Sequence, residues 1–313
     1  MMIQIGISAC VLGEKVRYDG GHKQSDFCTD VLTKFVQFVP VCPEQAIGMG
    51  VPRPAIRLQQ NRSGEIRLVN SKDSSLDFTV PMLEFTKQLL PKLTELSGYI
   101  VCAKSPSCGM ERVRLTSEDG ALLGKVGVGL YTRQLMQQFP WLPIEEDGRL
   151  MDLALRENFI TRVYTLYAWQ QMMAQGFSVG KLVQFHSQFK FLIMAHQPIA
   201  YRALGRLVAQ AKLYSLDELA QRYRQELMDA LKHLATRKQH ANVLMHIQGF
   251  FKKMLTAAAK QELLTLIHQY RLGYAPLLAP LTLLQHHLRT YPHAYLAAQR
   301  YLAPFPAELG LRA

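Results

Sequence analysis

The sequence predicts an α/β domain with a mainly parallel, Rossmann-like sheet in residues 1–175, followed by an all-α helical-bundle domain in residues 176–313. In the first part, short β-rich runs alternate with stretches of helical periodicity, which is typical of a parallel sheet covered by helices. After residue 180 the strand signals disappear. The chain has 313 residues, 49% of them hydrophobic, which is enough material for two hydrophobic cores.

The elements of the α/β part follow from apolar runs, helical spacing and turn residues. Strands are predicted over 2–8, 37–41 and 98–103, a polar hairpin over 56–70, a loop over 124–129, and helices over 25–36, 77–97, 150–175 and from about 130. Pro91 interrupts the second helix and Pro140 ends the one that begins near residue 130, because proline cannot continue the backbone hydrogen bonds. Gly176 and Gly180 mark the boundary between the domains.

The second part carries repeated helix signals. Ser215 and Glu218 form a predicted capping box at a helix N-terminus. Apolar side chains then follow at helical spacing, at Leu219, Tyr223, Leu227, Leu231 and Leu234. Gly273 predicts a helix C-terminus, and a further helix is predicted from about Leu281.

The charges are divided unevenly between the two parts. Residues 1–175 contain 19 Lys+Arg and 18 Asp+Glu, whereas residues 176–313 contain 17 Lys+Arg and 6 Asp+Glu. The helical part therefore carries +11 of the formal net charge of +12. This excess favours an anionic partner. The plain alternative is a soluble helical domain that happens to be basic.

The composition indicates neither a membrane-spanning nor a secreted protein. No run of about 20 apolar residues is present, and the chain enters a predicted strand without the basic and apolar segments of a signal peptide. The five cysteines are an odd number without the rhythm of a disulfide framework. We therefore expect a cytoplasmic protein, with no membrane partner and no obligate protein partner, that uses cysteine for a metal or for catalysis.

Three of the cysteines, Cys10, Cys42 and Cys108, each come where a predicted strand gives way to a loop. Active sites of open parallel sheets form beyond the carboxyl ends of the strands, so these thiols can meet at one point. Three thiolates can hold an iron–sulfur cluster and leave one iron open to a substrate. The alternative is that each is a small buried hydrophobe, which is the interpretation we give to Cys28 and Cys102.

Polar side chains next to these cysteines are candidates for catalysis. Glu44 follows Cys42 after a stiff proline, which brings a carboxylate close to any metal held by that cysteine. A carboxylate in a partly dry pocket can act as a general acid or base. Ser105 and Ser107 lie in the loop of the third cysteine and can donate hydrogen bonds to a substrate. A surface glutamate on a turn and ordinary Ser-Pro turn chemistry are the alternatives.

Three motifs in the first part resemble the thiouracil desulfidase (TudS) family. They are Ser8-Ala9-Cys10-Val11-Leu12-Gly13, Pro40-Val41-Cys42-Pro43-Glu44 and Lys104-Ser105-Pro106-Ser107-Cys108-Gly109. In the second part, segments such as His186-Ser187-Gln188-Phe189-Lys190 and Met194-Ala195-His196 resemble the helical domain that is fused to this enzyme type in YbgA-type proteins. The combination resembles tRNA 4-thiouridine desulfidases of the RudS type.

This resemblance implies a cofactor and a set of site residues. The implied cofactor is a 4Fe-4S cluster with three cysteine ligands, which are Cys10, Cys42 and Cys108. The implied catalytic acid is Glu44, and the implied catalytic serine is Ser105 or Ser107. In the implied reaction a thiophilic iron polarises the C–S bond, water adds to the ring carbon, and sulfide leaves without net redox change.

The basic helical part offers a candidate surface for RNA. Four basic residues there are interleaved with aromatic ones, namely Arg237, Lys238, Lys252 and Lys253. Cations bind phosphates, and aromatic rings stack on unpaired bases. The alternative is that Phe250 and Phe251 belong to the core and the lysine pair is a solvated face. The predicted partner is tRNA carrying 4-thiouridine, whose extrusion costs roughly a few kcal/mol that RNA backbone contacts can offset.

Three functions are compatible with the sequence. The first is an iron–sulfur desulfidase that converts 4-thiouridine in tRNA to uridine. The second is the same chemistry on free thiolated bases or nucleosides, with the helical domain as an oligomerisation module. The third is a cluster-bearing RNA-binding regulator without turnover. The salt dependence of substrate binding separates the first two, and anaerobic sulfide release separates both from the third.

Overall fold

The computed structural model describes residues 2–311. The chain divides into two compact units, Met1–Phe159 and Ile160–Ala313. The first has mixed α/β structure and the second is helical, so the predicted fold class is confirmed. The division falls within a helix over Leu153–Ala174. The domain limit predicted between residues 175 and 176 lies at the end of that helix and stays a prediction.

The strands of the first unit form two sheets. In chain order they are β1 (Ile3–Ser8), β2 (Val36–Val41), β3 (Ile56–Gln60), β4 (Ile66–Asn70), β5 (Gly98–Val101), β6 (Val113–Ser117), β7 (Leu122–Gly127) and β8 (Ile144–Glu146). The helices of the same unit are α1 (Pro43–Ala46), α2 (Thr79–Leu89), α3 (Leu130–Gln138) and the start of α4 (Leu153–Ala174).

The first sheet is parallel throughout and has the order β2-β1-β5-β8. Ile5 and Ile7 of β1 are fully buried, as near-continuous apolar strands are in parallel sheets covered on both faces. The three strands predicted from the sequence are confirmed as β1, β2 and β5. Because these strands are parallel neighbours, their carboxyl ends reach the same edge of the sheet.

The second sheet is mixed and has the order β4-β3-β6-β7. The predicted hairpin is confirmed as β3 and β4, which pair antiparallel. β6 pairs parallel with β3 and antiparallel with β7. The loop predicted over 124–129 is wrong, because β7 covers Leu122–Gly127. This edge strand contains two glycines and few buried side chains, so it lacks the alternation that reveals a strand in sequence.

The helix predicted over 25–36 is present as helical turns, but these turns are not α-helical. The segment forms a π-helical turn over Phe27–Val31 and a 3-10 turn over Leu32–Lys34. The β-branched residues Thr29, Val31 and Thr33 lose side-chain freedom in an α-helix, which weakens the helical alternative. By contrast, α2 forms as predicted and passes into a 3-10 turn at Leu90–Leu93, where Pro91 lies.

The second unit consists of packed helices after the shared α4. They are α5 (Val179–His196), α6 (Pro198–Ala209), α7 (Leu216–Leu231), α8 (Arg237–Phe250), α9 (Ala257–Leu272), α10 (Leu278–Thr290) and the short α11 (Ala294–Ala297). Ser215 caps α7 by accepting a hydrogen bond from the Glu218 amide at 3.2 Å. A full capping box is present at α8, between Thr236 and Gln239. Within residues 2–311, no helix is both long and apolar enough to span a bilayer.

Candidate active site

A cavity of about 680 Å³ lies beyond the carboxyl ends of β1, β2 and β5 in the first unit. Four cysteines line it. Cys10 lies in the turn after β1, Cys42 directly follows β2, Cys102 directly follows β5, and Cys108 lies in the loop beyond. The crevice at this edge is where open parallel sheets bind their ligands.

The N-terminus of α3 holds the loop that carries Cys108. The Tyr131 amide donates a hydrogen bond to the Ser107 carbonyl at 3.0 Å, and Thr132 Oγ1 donates to the Cys108 carbonyl at 2.6 Å. The first amides of a helix have no partner inside the helix, so the loop satisfies them. The approach requires glycine at 129, because a Cβ there would lie 2.7 Å from the Cys108 amide nitrogen.

The structure brings the residues predicted for cluster binding and catalysis to this one cavity. Its lining includes Cys10, Cys42, Glu44, Ser105 and Cys108. Ser107 is fully buried and reaches the cavity through its hydrogen bond to Glu44. Cys28 is buried elsewhere in the unit and does not line the cavity.

The donor set of the cavity is chemically suited to an iron–sulfur cluster, since four thiols line it. Within residues 2–311, no three His, Cys, Asp or Glu side chains are arranged as ligands of one metal ion. Soft thiolate donors are the ligands that iron–sulfur clusters use. Burial raises the pKa of Cys42 and of Cys108, so their charged forms need a nearby cation such as a metal.

Cys102 is a cavity residue that the sequence interpretation missed. The predicted strand over 98–103 placed it inside the sheet, but β5 ends at Val101 and leaves Cys102 on the cavity wall. The neighbouring thiol of Cys10 lowers the pKa of Cys102, helped by Lys23 and Arg17, and Cys102 in turn raises the pKa of Cys10. The sequence did contain a signal for this position, because the polar, proline-containing loop after the strand begins close to Cys102.

Glu44 is held by a buried arginine. Arg53 is 7% exposed and donates to Glu44 Oε2 from Nε at 3.1 Å and also from Nη2. Its remaining donors bind the carbonyls of Gly50 at 2.8 Å and Val16 at 2.9 Å. Both arginine hydrogen bonds to Glu44 end on the same carboxylate oxygen, and such charge-assisted bonds are strong enough to hold the carboxylate in place. The sequence signal for Arg53 was a charged residue set between two prolines.

The two candidate serines form a chain that ends on Glu44. Ser107 donates its hydroxyl hydrogen bond to Glu44 Oε1, and the Ser105 and Ser107 hydroxyl oxygens lie 2.9 Å apart. Ser105 Oγ also accepts from the Cys108 amide at 3.1 Å. Ser105 therefore faces the cavity while shaping the cysteine loop, and Ser107 lies behind it against the carboxylate.

The four basic residues predicted to bind RNA lie at opposite ends of one helix. Arg237 and Lys238 occupy the first turn of α8, whereas Lys252 and Lys253 follow its last residue. All four are exposed. The helix has 14 residues, which places the two pairs roughly 20 Å apart. They form two basic patches, one at the start of α8 and one just after its end. The two phenylalanines near the second patch differ, since Phe251 is buried and Phe250 is 37% exposed.

Two different family models match the α/β part and the helical part of the chain. Residues 5–147 match a family model described as 2-thiouracil desulfurase. Residues 190–306 match a model described as "Protein of unknown function (DUF1722)". The first match contains all of the cavity residues, and the second lies in the helical unit.

Two individual proteins show similarity over about half of the chain each. The "Uncharacterized protein YbgA" of Escherichia coli (strain K12) is 36% identical over 157 residues, which are 50% of this chain and 93% of that protein. Among solved structures, the 4Fe-4S-dependent thiouracil desulfidase TudS is 28% identical, and the match covers 49% of this chain and 97% of that chain with a TM-score of 0.39.

Proposed function

The chain belongs to the same family as YbgA and includes a 2-thiouracil desulfurase domain over residues 5–147, and from this premise we propose that it is an iron–sulfur desulfidase acting on 4-thiouridine in tRNA. The products are uridine in the RNA and hydrogen sulfide. The sulfur of the thiocarbonyl is exchanged for the oxygen of one water molecule, so the reaction balances without an oxidant or a reductant.

The observation that carries this proposal is the composition of one cavity wall. Thiols from the ends of three neighbouring strands, a carboxylate fixed by an arginine, and a serine hydroxyl all line the same 680 Å³ space. Cys10, Cys42 and Cys108 would hold a 4Fe-4S cluster. When bound, a cluster with one iron free of cysteine supplies a soft acceptor that polarises the C–S bond and takes up the sulfide.

The protein's own residues position the base and move the proton. In this proposal Glu44 takes a proton from the attacking water and returns it to the ring or to the leaving sulfur. Arg53 keeps the carboxylate directed at the cavity through its two hydrogen bonds. Ser105 donates a hydrogen bond to the charge that develops on the ring. Ser107 couples the Ser105 hydroxyl to Glu44.

The choice of tRNA rests on the charge of the helical part. Residues 176–313 carry 17 Lys+Arg against 6 Asp+Glu, and basic surfaces bind nucleic-acid phosphates. A stacked 4-thiouridine must be extruded before its sulfur can reach the cysteines, at a cost of roughly a few kcal/mol. Binding of the RNA backbone by the helical part would offset this cost. A free base is not stacked, so it does not need these backbone contacts.

A second candidate is a desulfidase of free thiolated bases. The description of the matched family model, 2-thiouracil desulfurase, names a free base. This name favours the second candidate. The two candidates differ in their salt dependence, because rising salt weakens the binding of RNA phosphates to basic side chains and leaves the binding of a neutral base unaffected.

The experiment that tests the function begins with protein purified without oxygen. We expect a brown protein that contains iron and sulfide and that releases sulfide from tRNA carrying 4-thiouridine faster than from 2-thiouracil. Single alanine variants of Cys10, Cys42 and Cys108 should lose the iron, whereas Cys28→Ala, which changes a buried thiol outside the cavity, should keep it. Full iron and activity in Cys108→Ala would refute the ligand assignment. Activity on 2-thiouracil alone would favour the second candidate.

A further inference from the structure

A groove of about 490 Å³ lies within the helical unit, between α4, α5 and the C-terminal segment 300–304. α4 contributes side chains spaced three or four residues apart from Tyr164 to Gln175, and α5 does the same from Lys181 to Phe189. This spacing places the side chains on one face of each helix. The C-terminal segment forms the third wall. The reaction proposed above uses none of the residues that line this groove.

Hydrogen bonds fix the third wall of the groove to α5. The Arg300 amide donates to the Gln188 carbonyl at 3.0 Å. Gln299, which is buried, donates from Nε2 to the Ser187 carbonyl at 2.9 Å. The C-terminal segment is therefore an integral part of the packed helical unit, and the groove is a built feature of that unit.

Aromatic rings line both helical walls of the groove. On α5, Phe185 and Phe189 are stacked, with their ring centroids 4.3 Å apart. The buried Trp169 packs edge-on against Phe185 and holds this stack in place. On α4, Tyr164 and Tyr167 are half-buried, so part of each ring is open to solvent at the groove. Flat aromatic surfaces of this kind bind planar rings, nucleobases among them, by stacking.

Glutamine amides are the polar counterpart of these rings. Four glutamines line the groove, namely Gln171, Gln175, Gln184 and Gln188. In the part of the chain that the structure describes, none of their side-chain amides hydrogen bonds to another protein group. Each amide carries two donors and an acceptor, which are the groups that pair with the edge of a nucleobase. The groove therefore offers unused donors and acceptors beside its aromatic rings.

The charge of the groove is positive. Among the described residues, Lys181 and Arg300 line it, and no Asp or Glu does. Lys181 donates to the carbonyls of Gln175 and Gly176, just after the end of α4. Arg300 is exposed and forms no ion pair within residues 2–311. Its guanidinium is suited to a phosphate next to a planar ring.

We propose that this groove binds an unpaired nucleobase of the RNA together with its phosphate, at a site separate from the cysteine cavity. The base stacks on the tyrosine rings, the glutamine amides hydrogen bond to its edge, and Arg300 neutralises the phosphate. The groove lies in the part of the chain that carries +11 of the net charge, which favours an RNA over an uncharged ligand. The proposal rests on the function proposed above and deepens it, because the helical part then recognises a base as well as backbone charge.

The test compares two single-stranded probes that carry the same number of phosphates. One is fluorescently labelled pentauridylate, and the other is a labelled pentamer of ribose phosphate without bases. Neither probe requires turnover, so binding to the full-length protein is measured by fluorescence anisotropy. Gln171→Leu/Gln188→Leu removes two groove amides at similar side-chain size, and Arg300→Gln removes the charge. The matched controls, at exposed positions of the helical unit outside the groove, are Gln221→Leu/Gln261→Leu and Arg289→Gln.

The two variants should lose affinity in different ways. The glutamine variant should bind pentauridylate about 10-fold more weakly than wild type and the baseless probe within about twofold of wild type, because the amides contact only the base. Arg300→Gln should bind both probes about 10-fold more weakly, and its slope of log affinity against log salt should be smaller by roughly 0.7, the value for one phosphate. Both controls should stay within about twofold of wild type.

Three outcomes would refute the proposal. They are equal losses on both probes in the glutamine variant, no loss in either variant, and equal binding of the two probes by wild type, since a stacked base contributes about 5- to 150-fold to affinity. Thermal unfolding shows whether the glutamine variant is folded. If it is not, the exposed change Arg300→Gln decides alone, and unchanged binding and salt slope in that variant would refute the proposal.

Photochemical cross-linking determines where the base binds. Pentauridylate with a central 5-iodouridine is irradiated in complex with the protein, and mass spectrometry identifies the modified residue. We expect Tyr164 or Tyr167 in wild type and a lower yield in the glutamine variant. Cross-links confined to the α/β unit would refute the proposal. If these results held but no sulfide were released from tRNA, the proposed reaction would fail while the base site stood. If sulfide were released and the glutamine variant bound both probes like wild type, the base site would fail while the reaction stood.

Discussion

Arg53 determines the direction in which the Glu44 carboxylate points. The guanidinium is buried, and its donors bind one carboxylate oxygen and two backbone carbonyls. The other carboxylate oxygen accepts from Ser107. Each oxygen of Glu44 therefore has a defined partner on the protein side. A carboxylate held in this way is positioned to transfer a proton at one chosen atom of a substrate.

Replacing Glu44 by glutamine should keep the cluster and remove the activity. Glutamine preserves the shape of the side chain but cannot accept and return a proton. Loss of general acid–base catalysis costs about 100- to 10,000-fold, so sulfide release should fall by that factor while iron content stays at the wild-type level. Glu84→Gln, an exposed change on α2 of the same unit, is the control. Turnover of the Glu44 variant within severalfold of wild type would exclude the proton-transfer role.

His186 gives the helical unit a defined pH response. Burial, with a further contribution from Lys190, lowers the pKa of His186 from 6.5 to about 4, and its Nδ1 lies 3.0 Å from the Tyr223 hydroxyl. Between these two values the unfolded chain binds a proton that the folded chain does not. The contribution of His186 to stability should therefore be fully present above pH 6.5 and be lost, by up to about 3 kcal/mol, as the pH drops towards 4.

Urea unfolding at several pH values between 7.5 and 4 tests this response. Trp169 fluorescence is a suitable probe, because its ring stacks on Tyr223, the hydrogen-bond partner of His186, with the ring centroids 5.4 Å apart. His186→Gln should flatten the pH dependence in this window, whereas His246→Gln, an exposed change on α8, should leave it as in wild type. The same slope in His186→Gln and wild type would mean that another group causes the response.

At the scale of elements, α3 positions the third cysteine loop. Its first amides and the Thr132 hydroxyl satisfy carbonyls of the loop, and Gly129 allows the close approach. Gly129→Ala should push the loop away from the helix, at a cost of about 1–3 kcal/mol for overpacking. We expect at least about a twofold loss of bound iron with unchanged helical circular dichroism.

Gly148→Ala is the matched control for this change. A Cβ at 148 would have its nearest neighbour at 3.9 Å, on Ala103, which is ordinary van der Waals contact. It should keep both the iron and the stability of wild type. If Gly129→Ala also bound iron normally, the position of the Cys108 loop would not depend on its contact with α3.

Sequence reasoning found the elements whose buried side chains produce a regular hydrophobic pattern in the sequence. The near-continuous apolar run of β1 and the spaced leucines of α7 were predicted because one periodicity dominates each. β7 was missed because an edge strand with glycines buries few side chains. The turns over 27–34 were predicted as one helix without their type, because local spacing does not distinguish α-, π- and 3-10 turns. Single-sequence patterns therefore gave three strands of the parallel sheet and the hairpin of the mixed sheet, but not β6, β7 or β8.

The site also contains some residues that the sequence predicted and others that it did not. Cys10, Cys42, Cys108 and Glu44 were visible because strand ends of a parallel sheet share one edge. Cys102 was missed by an error of two residues in the end of one strand, and such boundaries are the least certain part of any sequence prediction. The basic side chains Arg57, Arg114 and Lys125 on the cavity wall could not be predicted, because they are close only through the pairing of three strands that the sequence did not reveal together.

At the scale of the whole chain, the charge is concentrated in the helical part. Reversing Arg237, Lys238, Lys252 and Lys253 to glutamate should weaken tRNA binding and lower its salt slope, because fewer counterions are released on binding. Turnover of free 4-thiouridine should stay at the wild-type level, since these residues lie outside the α/β unit. Filter binding at several salt concentrations, with wild type beside the reversed variant, measures both quantities. An unchanged slope would place the RNA surface elsewhere.

Because Arg237 and Lys238 are at one end of α8 and Lys252 and Lys253 at the other, reversing each pair alone refines this prediction. If the RNA backbone runs along the helix, each pair should contribute about half of the loss. If it crosses only one end, one pair should account for nearly all of it. If neither reversal had an effect on binding, the assignment of these residues to the RNA surface would be contradicted.

The cysteine cavity has a consequence for selectivity. Thiolated and ordinary uridine differ in one atom, so contacts with the RNA backbone do not distinguish substrate from product. Discrimination then depends on the one soft atom that reaches the cysteines lining the cavity. Unthiolated tRNA should therefore be a competitive inhibitor of wild type, and reversing Arg237, Lys238, Lys252 and Lys253 should weaken this inhibition as much as it weakens substrate binding. Inhibition kinetics with both tRNA forms measures this, and unequal effects would show that the helical part itself distinguishes the two.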